Sequence, residues 1–221
     1  EAATLGTDTT DTINITVSDA LTPNEWATIK AKTGGTVTAS GGFSAALSQY
    51  ASTTALETNW DNAVTANPNT AVAITDTKLT TSDHITALNL IANDATHTGA
   101  NAKITATVEA ALATLGVGTL KTSSSDPVAY TVTDTDLVNA DISDLNTLKG
   151  KTAGVVTIGG VTATASQLSS LNTGTTDDVT LTASGSTNTV AEALVLAKKT
   201  NALTNISIVG ITDTQAQISG T

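Results

Sequence analysis

An α/β fold of short, mostly parallel strands backed by helices is predicted for this chain by three observations: a strand-closing motif that recurs, helix start signals that follow it, and a core alphabet without bulk. The motif is Ile15-Thr16-Val17-Ser18-Asp19, which returns as Ala73-Ile74-Thr75-Asp76, Tyr130-Thr131-Val132-Thr133-Asp134 and Gly210-Ile211-Thr212-Asp213. Each copy is a β-branched run closed by Thr or Ser and Asp. In the first three a helix-forming segment follows, the pattern of a buried strand turning into a helix. The closing carboxylates lie 57, 58 and 79 residues apart. The longer third interval exceeds the others by about one small β/α coil of ~20 residues, so each shorter unit reads as two coils. The expected architecture is a β/α solenoid-like repeat array, with a compact α/β domain carrying an internal duplication as the alternative. The repeat divides the chain into units 13–71, 72–127 and 128–209, with 210–221 opening a further one.

Composition supports thin layers. Aromatics are 2% of 221 residues and Met and Cys are absent, so the core must be Ala, Val, Ile and Leu. Such residues fill repeated thin layers better than one thick globule. Thr makes up about a fifth of the chain, a residue suited to exposed strand faces and turns. The net charge is −11, and all nine basic residues are Lys. A chain so acidic repels phosphate backbones and anionic lipid, which argues against nucleic-acid and membrane-surface partners and leaves divalent cations as the natural ones. No apolar run reaches the length of a membrane span. A start at Glu1 without Met reads as a processed protein or a segment of a larger one.

Along the chain, Ile13, Ile15 and Val17 alternate as a strand. Thr22, Pro23 and Glu25 are spaced as a capping box with Pro at the first helical position, so a helix is expected from Pro23 to about Ala31 with Trp26 and Ile29 inward. Gly34-Gly35 stops it before a strand at 36–39. Phe43, Ala46, Leu47 and Tyr50 have helical spacing, as do Leu56, Trp60 and Val64, before Asn67-Pro68-Asn69 and a strand at 72–75. Thr80 is the expected cap of a helix whose inner stripe is Ile85, Leu88, Ile91 and Ala92. A further helix is expected from Ile104 to Leu115, stopped by Gly116, then a strand at 130–133. Leu137, Ile142, Leu145 and Leu148 face inward before strands at 155–158 and 179–182, separated by a short helix near 165–171. The last helix, about 189–199, is expected to turn Val190, Leu194 and Ala197 inward with Lys198 and Lys199 at its negative end, ahead of a strand at 206–209.

The motif carboxylates Asp19, Asp76, Asp134 and Asp213 sit between strand and helix, where a short carboxylate accepts backbone N–H groups. The sharper reading is calcium, for which Asp134, Asp136, Asp141 and Asp144 are the candidate ligands. They match neither an EF-hand loop nor the Gly-Gly-x-Gly-x-Asp nonapeptide of calcium β-rolls. His84 and His97, at a helix start and in a loop, read as capping or exposed groups rather than a zinc pair. No Gly-x-Ser-x-Gly elbow supports a nucleophilic Ser, and without Arg a uronate-cleaving groove lacks its cation. Trp26 and Trp60 lie on apolar helical stripes, which favours packing over a sugar platform.

The Ile-Thr-Asp-Thr and Ile-Thr-Val-Ser-Asp starts, with the Thr-Val-Thr-Ala strand at 36–39, resemble the tandem repeats of very large bacterial, cyanobacterial-type cell-surface proteins, among them adhesins, S-layer-associated and swimming-motility surface proteins. The resemblance implies export, an extracellular cell-surface location and tandem arrays. The expected function is a non-enzymatic structural repeat segment: a spacer, filament or surface-layer module. A calcium- or glycan-binding adhesin module is the alternative, and a polysaccharide-active solenoid enzyme the third reading. Expected partners are neighbouring repeats of the same chain or further copies joined head to tail.

Overall fold

The β-branched runs become strands in a computed structural model that describes residues 5–214. The fold is α/β, with mostly parallel strands in sheets of two, three and six, backed by helices. Two compact units can be distinguished: the first is the chain up to Val108 together with Leu120–Val128, the second Glu109–Thr119 together with the chain from Ala129.

In the first unit, β1 (Ile15–Val17) runs parallel to β2 (Val37–Ala39), with α1 (Pro23–Lys30) between them. The start of α1 is a capping box: Thr22 Oγ1 accepts the Glu25 N–H at 3.1 Å and Glu25 Oε2 accepts the Thr22 N–H at 2.8 Å. Pro23 follows where no N–H is needed, and Trp26 and Ile29 are buried, as the sequence predicts. The second sheet is β3 (Phe43–Ala45), β4 (Val72–Ile74) and β5 (Ile104–Thr105), all parallel. Its helices are α2 (Thr58–Ala66) and α3 (Ser82–Ala92). Most of the chain's few aromatic rings gather here: Trp60 meets Phe43 and Tyr50 edge-on at 5.4 and 5.1 Å between centroids, and His97 at 5.8 Å. Each aromatic pair adds about 1 kcal/mol beyond burial. Gly42 enters β3 at φ +81°, where a Cβ would lie 2.8 Å from the Ala71 carbonyl oxygen, so only Gly fits this close approach.

The six-stranded sheet has the order β11-β10-β9-β7-β6, with β8 also on β9, and all of it but the first two residues of β6 belongs to the second unit. The strands are β6 (Thr107–Ala110), β7 (Ala129–Val132), β8 (Leu137–Val138), β9 (Val156–Thr164), β10 (Asp178–Ser184) and β11 (Ile206–Ile208). Its helices are α4 (Leu112–Leu115), α5 (Ile142–Lys149), α6 (Ala165–Leu168) and α7 (Val190–Leu196). Side chains alternate across β10, with Val179, Leu181 and Ala183 fully buried. The register against β9 jumps from Val179 opposite Ile158 to Leu181 opposite Val161, so Gly159 and Gly160 form a bulge. This bulge carries β9 well past residue 158, where the sequence predicts its end.

Several expectations are corrected. The helices predicted at Phe43–Tyr50 and Ile104–Leu115 begin as strand and end in a single helical turn: β3 before a 3₁₀ turn at Leu47–Gln49, and β5 with β6 before the one-turn α4. In an Ala-rich segment the two periods overlap. Ile104, Ala106, Val108 and Ala110 are all buried, and that alternation wins because each can face a neighbouring strand. The cap of α3 is Thr81, whose side chain accepts the His84 N–H, rather than Thr80. In α7, Leu196 is the buried residue and Leu194 is 61% exposed. Division into three sheets does not by itself establish the solenoid stack, and residues 215–221 of the final repeat opening lie outside the described residues.

Candidate functional site

The motif carboxylates form one repeated device. In three copies, the Thr before the Asp donates its N–H to a carbonyl of a neighbouring segment, at the end of β3, at the end of β6 and at the bridge residue Asn188. The Asp side chain then accepts an N–H two residues further along that neighbour. Thr75 donates to Ala45 O at 2.9 Å, and Asp76 Oδ2 accepts from Leu47 at 2.5 Å. Thr133 donates to Ala110 O at 3.2 Å, and Asp134 Oδ2 accepts from Leu112 at 2.6 Å. Thr212 donates to Asn188 O at 2.8 Å, and Asp213 Oδ2 accepts from Val190 at 3.1 Å. Leu47, Leu112 and Val190 each begin a helical turn, so each carboxylate satisfies an orphan N–H that the turn cannot. The result is a two-point clamp from each Thr-Asp pair onto the backbone where a neighbouring segment opens a helical turn.

Buried polar side chains do comparable work at other strand ends. Asp126 Oδ1 accepts the Ile104 N–H and Asp177 Oδ1 the Val156 N–H, both at 2.9 Å. Their second oxygens accept from Ser123 and Gly174 at 2.7 and 2.9 Å, closing a turn three residues back. Asn67 acts as a whole peptide group at the edge of β2: its Oδ1 accepts from Ala39 N at 2.9 Å and its Nδ2 donates to Val37 O at 3.2 Å. Fully buried Asp177 also meets Lys149 Nζ at 2.8 Å. Lys149 and Lys30 occupy matching places, each reaching from a helix end to the Gly carbonyl five residues on, Gly154 and Gly35. Lys30 is expected from sequence on the inner face of α1 through its aliphatic stem, whereas Asp126, Asp177 and Lys149 carry no motif of their own. A signal was present: Ile29-Lys30-Ala31-Lys32-Thr33-Gly34-Gly35-Thr36-Val37-Thr38 returns as Leu148-Lys149-Gly150-Lys151-Thr152-Ala153-Gly154-Val155-Val156-Thr157.

Of the calcium candidates, Asp134, Asp141 and Asp144 line one open hollow with Leu112, Gly116 and Leu137, and Asp136 is not among its lining residues. Asp134 has one oxygen committed to Leu112. One oxygen of Asp141 accepts the Val138 N–H at 2.8 Å. Among the described residues no three acidic or His side chains converge as a metal group. Of the imidazoles, His84 Nδ1 sits 3.1 Å from the Thr80 N at the start of α3. The other, His97, has Nε2 2.7 Å from Thr70 O and its ring against Trp60. Trp26 and Trp60 are 4% and 0% exposed, buried in packing rather than presented as platforms. Burial also holds the Tyr50 hydroxyl well above the ordinary tyrosine pKa, against a smaller opposing backbone contact at Ala45. A second, larger hollow runs along the β2 edge past Ser40, Asn67, Asn69, Asn101 and Lys103. Two of its three amide side chains are engaged, Asn67 as above and Asn69 Oδ1 with the Asn101 N–H at 2.8 Å. No protein family, curated protein or solved structure was found to match the chain.

Proposed function

We propose that the chain is a non-enzymatic structural repeat segment of an extracellular bacterial cell-surface protein, serving as a spacer, filament or surface-layer module. The observation that carries this reading is the clamp: the recurring Thr-Asp pair spends its chemistry on tying one strand–helix turn to the next. A motif that repeats because each copy holds its neighbour is what a load-bearing array requires. Supporting it are a Thr-rich, acidic composition and a core of aliphatic side chains. The reading is tested by location. Antibodies raised against the folded chain label intact cells of the source organism, whereas labelling only after permeabilisation would overturn the assignment.

One observation favours a second reading, a calcium-binding adhesin module: three of the four candidate carboxylates share the rim of one hollow. In that case Asp144 and the free oxygens of Asp134 and Asp141 supply the first ligands and water the remainder of the six to eight that calcium takes.

A further inference from the structure

The repeated motif has four copies, and the clamp is closed in three. In the first copy, Ser18 stands where Thr75, Thr133 and Thr212 stand, and Asp19 where Asp76, Asp134 and Asp213 stand. Neither the Ser18 N–H nor the Asp19 carboxylate has a hydrogen-bond partner among the described residues, and Asp19 is exposed. The strand they terminate, β1, is an end strand of its sheet, paired only with β2 among the described residues. So the same two groups that grip a neighbouring segment elsewhere here face an edge on which none of the described residues forms a strand.

We infer that the β1 edge with its Ser18–Asp19 clamp is a docking surface for a second copy of this chain, which presents the free edge of β11. This deepens the structural-segment reading and rests on it. The occupant follows from the closed copies, in which every clamp closes on a backbone carbonyl and N–H of this same chain and none on a group of other chemistry. The clamp needs a carbonyl and, two residues on, an N–H on the same side. An open parallel strand edge offers that spacing. The strand β11 is one end of the six-stranded sheet and the last strand of the described residues, among which it pairs only with β10, and it has the same half-covered burial pattern as β1. Around it Leu203, Val209 and Ile211 are 71, 63 and 47% exposed, apolar surface that pairing would cover. Across the joint, exposed Ile13 extends the apolar contact on the β1 side. Two different surfaces meet, so each copy keeps one free edge for the next.

Sedimentation velocity across the micromolar range tests this. Wild type is expected to associate with increasing concentration. Asp19→Ala and Ser18→Pro, which remove the carboxylate and the N–H in turn, are each expected to weaken association about tenfold or more. Val209→Lys, on the opposite surface, is expected to do the same. Mixing Asp19→Ala with Val209→Lys is decisive, because each retains the surface the other lost: dimers with one chain of each are expected, and nothing larger. Circular dichroism melts identify any variant that fails to fold, and for such a position Asp19→Asn or Val209→Thr replaces it. A wild-type chain that stays monomeric, or an Asp19→Ala chain that associates like wild type, overturns the joint. Surface labelling is independent of this measurement, so loss of the joint with labelling intact leaves the structural reading standing.

Discussion

At the scale of single residues, the chain solves a problem that short strands create. Strands of three or four residues leave a large share of their N–H and C=O groups at ends and edges, and each one buried without a partner costs about 1–3 kcal/mol. Asp177 shows the solution at its most demanding. It is fully buried, accepts two backbone N–H groups and also faces the Lys149 ammonium. Since Lys149 keeps part of its side chain in solvent, the N–H groups rather than the ion pair should hold most of the stabilisation. Asp177→Ala is therefore expected to destabilise by ~3 kcal/mol and Lys149→Met by ~1 kcal/mol, read as urea midpoints. Equal losses would place the energy in the ion pair instead.

At the scale of elements, legibility depended on whether a local signal had one meaning. Thr22-Pro23-x-Glu25 has one meaning, and α1 starts where it says, with Trp26 and Ile29 inside. The strands at 15–17, 72–74 and 206–208 were equally plain, being β-branched runs between turns. The segments at 43–50 and 104–115 carried two periods at once, and only the neighbouring strand decides between them. The clamps are half legible: the sequence predicts backbone N–H acceptors, which Asp76, Asp134 and Asp213 are and Asp19 is not among the described residues, but not that the donors lie on another segment 22 to 29 residues back. Nothing local reveals a partner at that separation. The two kinds of cap can be compared by mutation. Thr22→Ala removes a cap within one helix and is expected to cost ~1 kcal/mol. Asp134→Ala releases the Leu112 N–H and loosens the hold between strands, so ~2 kcal/mol is expected, with a lower urea midpoint than Thr22→Ala. A smaller loss than Thr22→Ala would mean that water replaces the carboxylate at no cost.

At the scale of the whole molecule, the charge imbalance sets how ions act. Twenty acidic residues against nine lysines give a field of one sign, and self-repulsion in the compact state weakens as salt screens it. Calcium would screen too, so a calcium effect is informative only beside sodium at matched ionic strength. The geometry argues for a small difference. Two of the three carboxylates on the hollow each have an oxygen held by a backbone N–H, and Asp136 is absent from it. Binding there would have to begin from few free oxygens and complete the shell with water, which places affinity at the weak, millimolar end of calcium sites. Stabilisation by a ligand grows only as the logarithm of its concentration over its dissociation constant, so millimolar calcium at such a site adds well under ~1 kcal/mol. Melting curves in sodium chloride are therefore expected to rise by a few degrees over low salt, and those in calcium chloride at equal ionic strength to lie close beside them. Added EDTA should change neither. A rise of tens of degrees specific to calcium would show that the acidic rim is a true site. It would also move the chain from the structural reading to the calcium-dependent adhesin one.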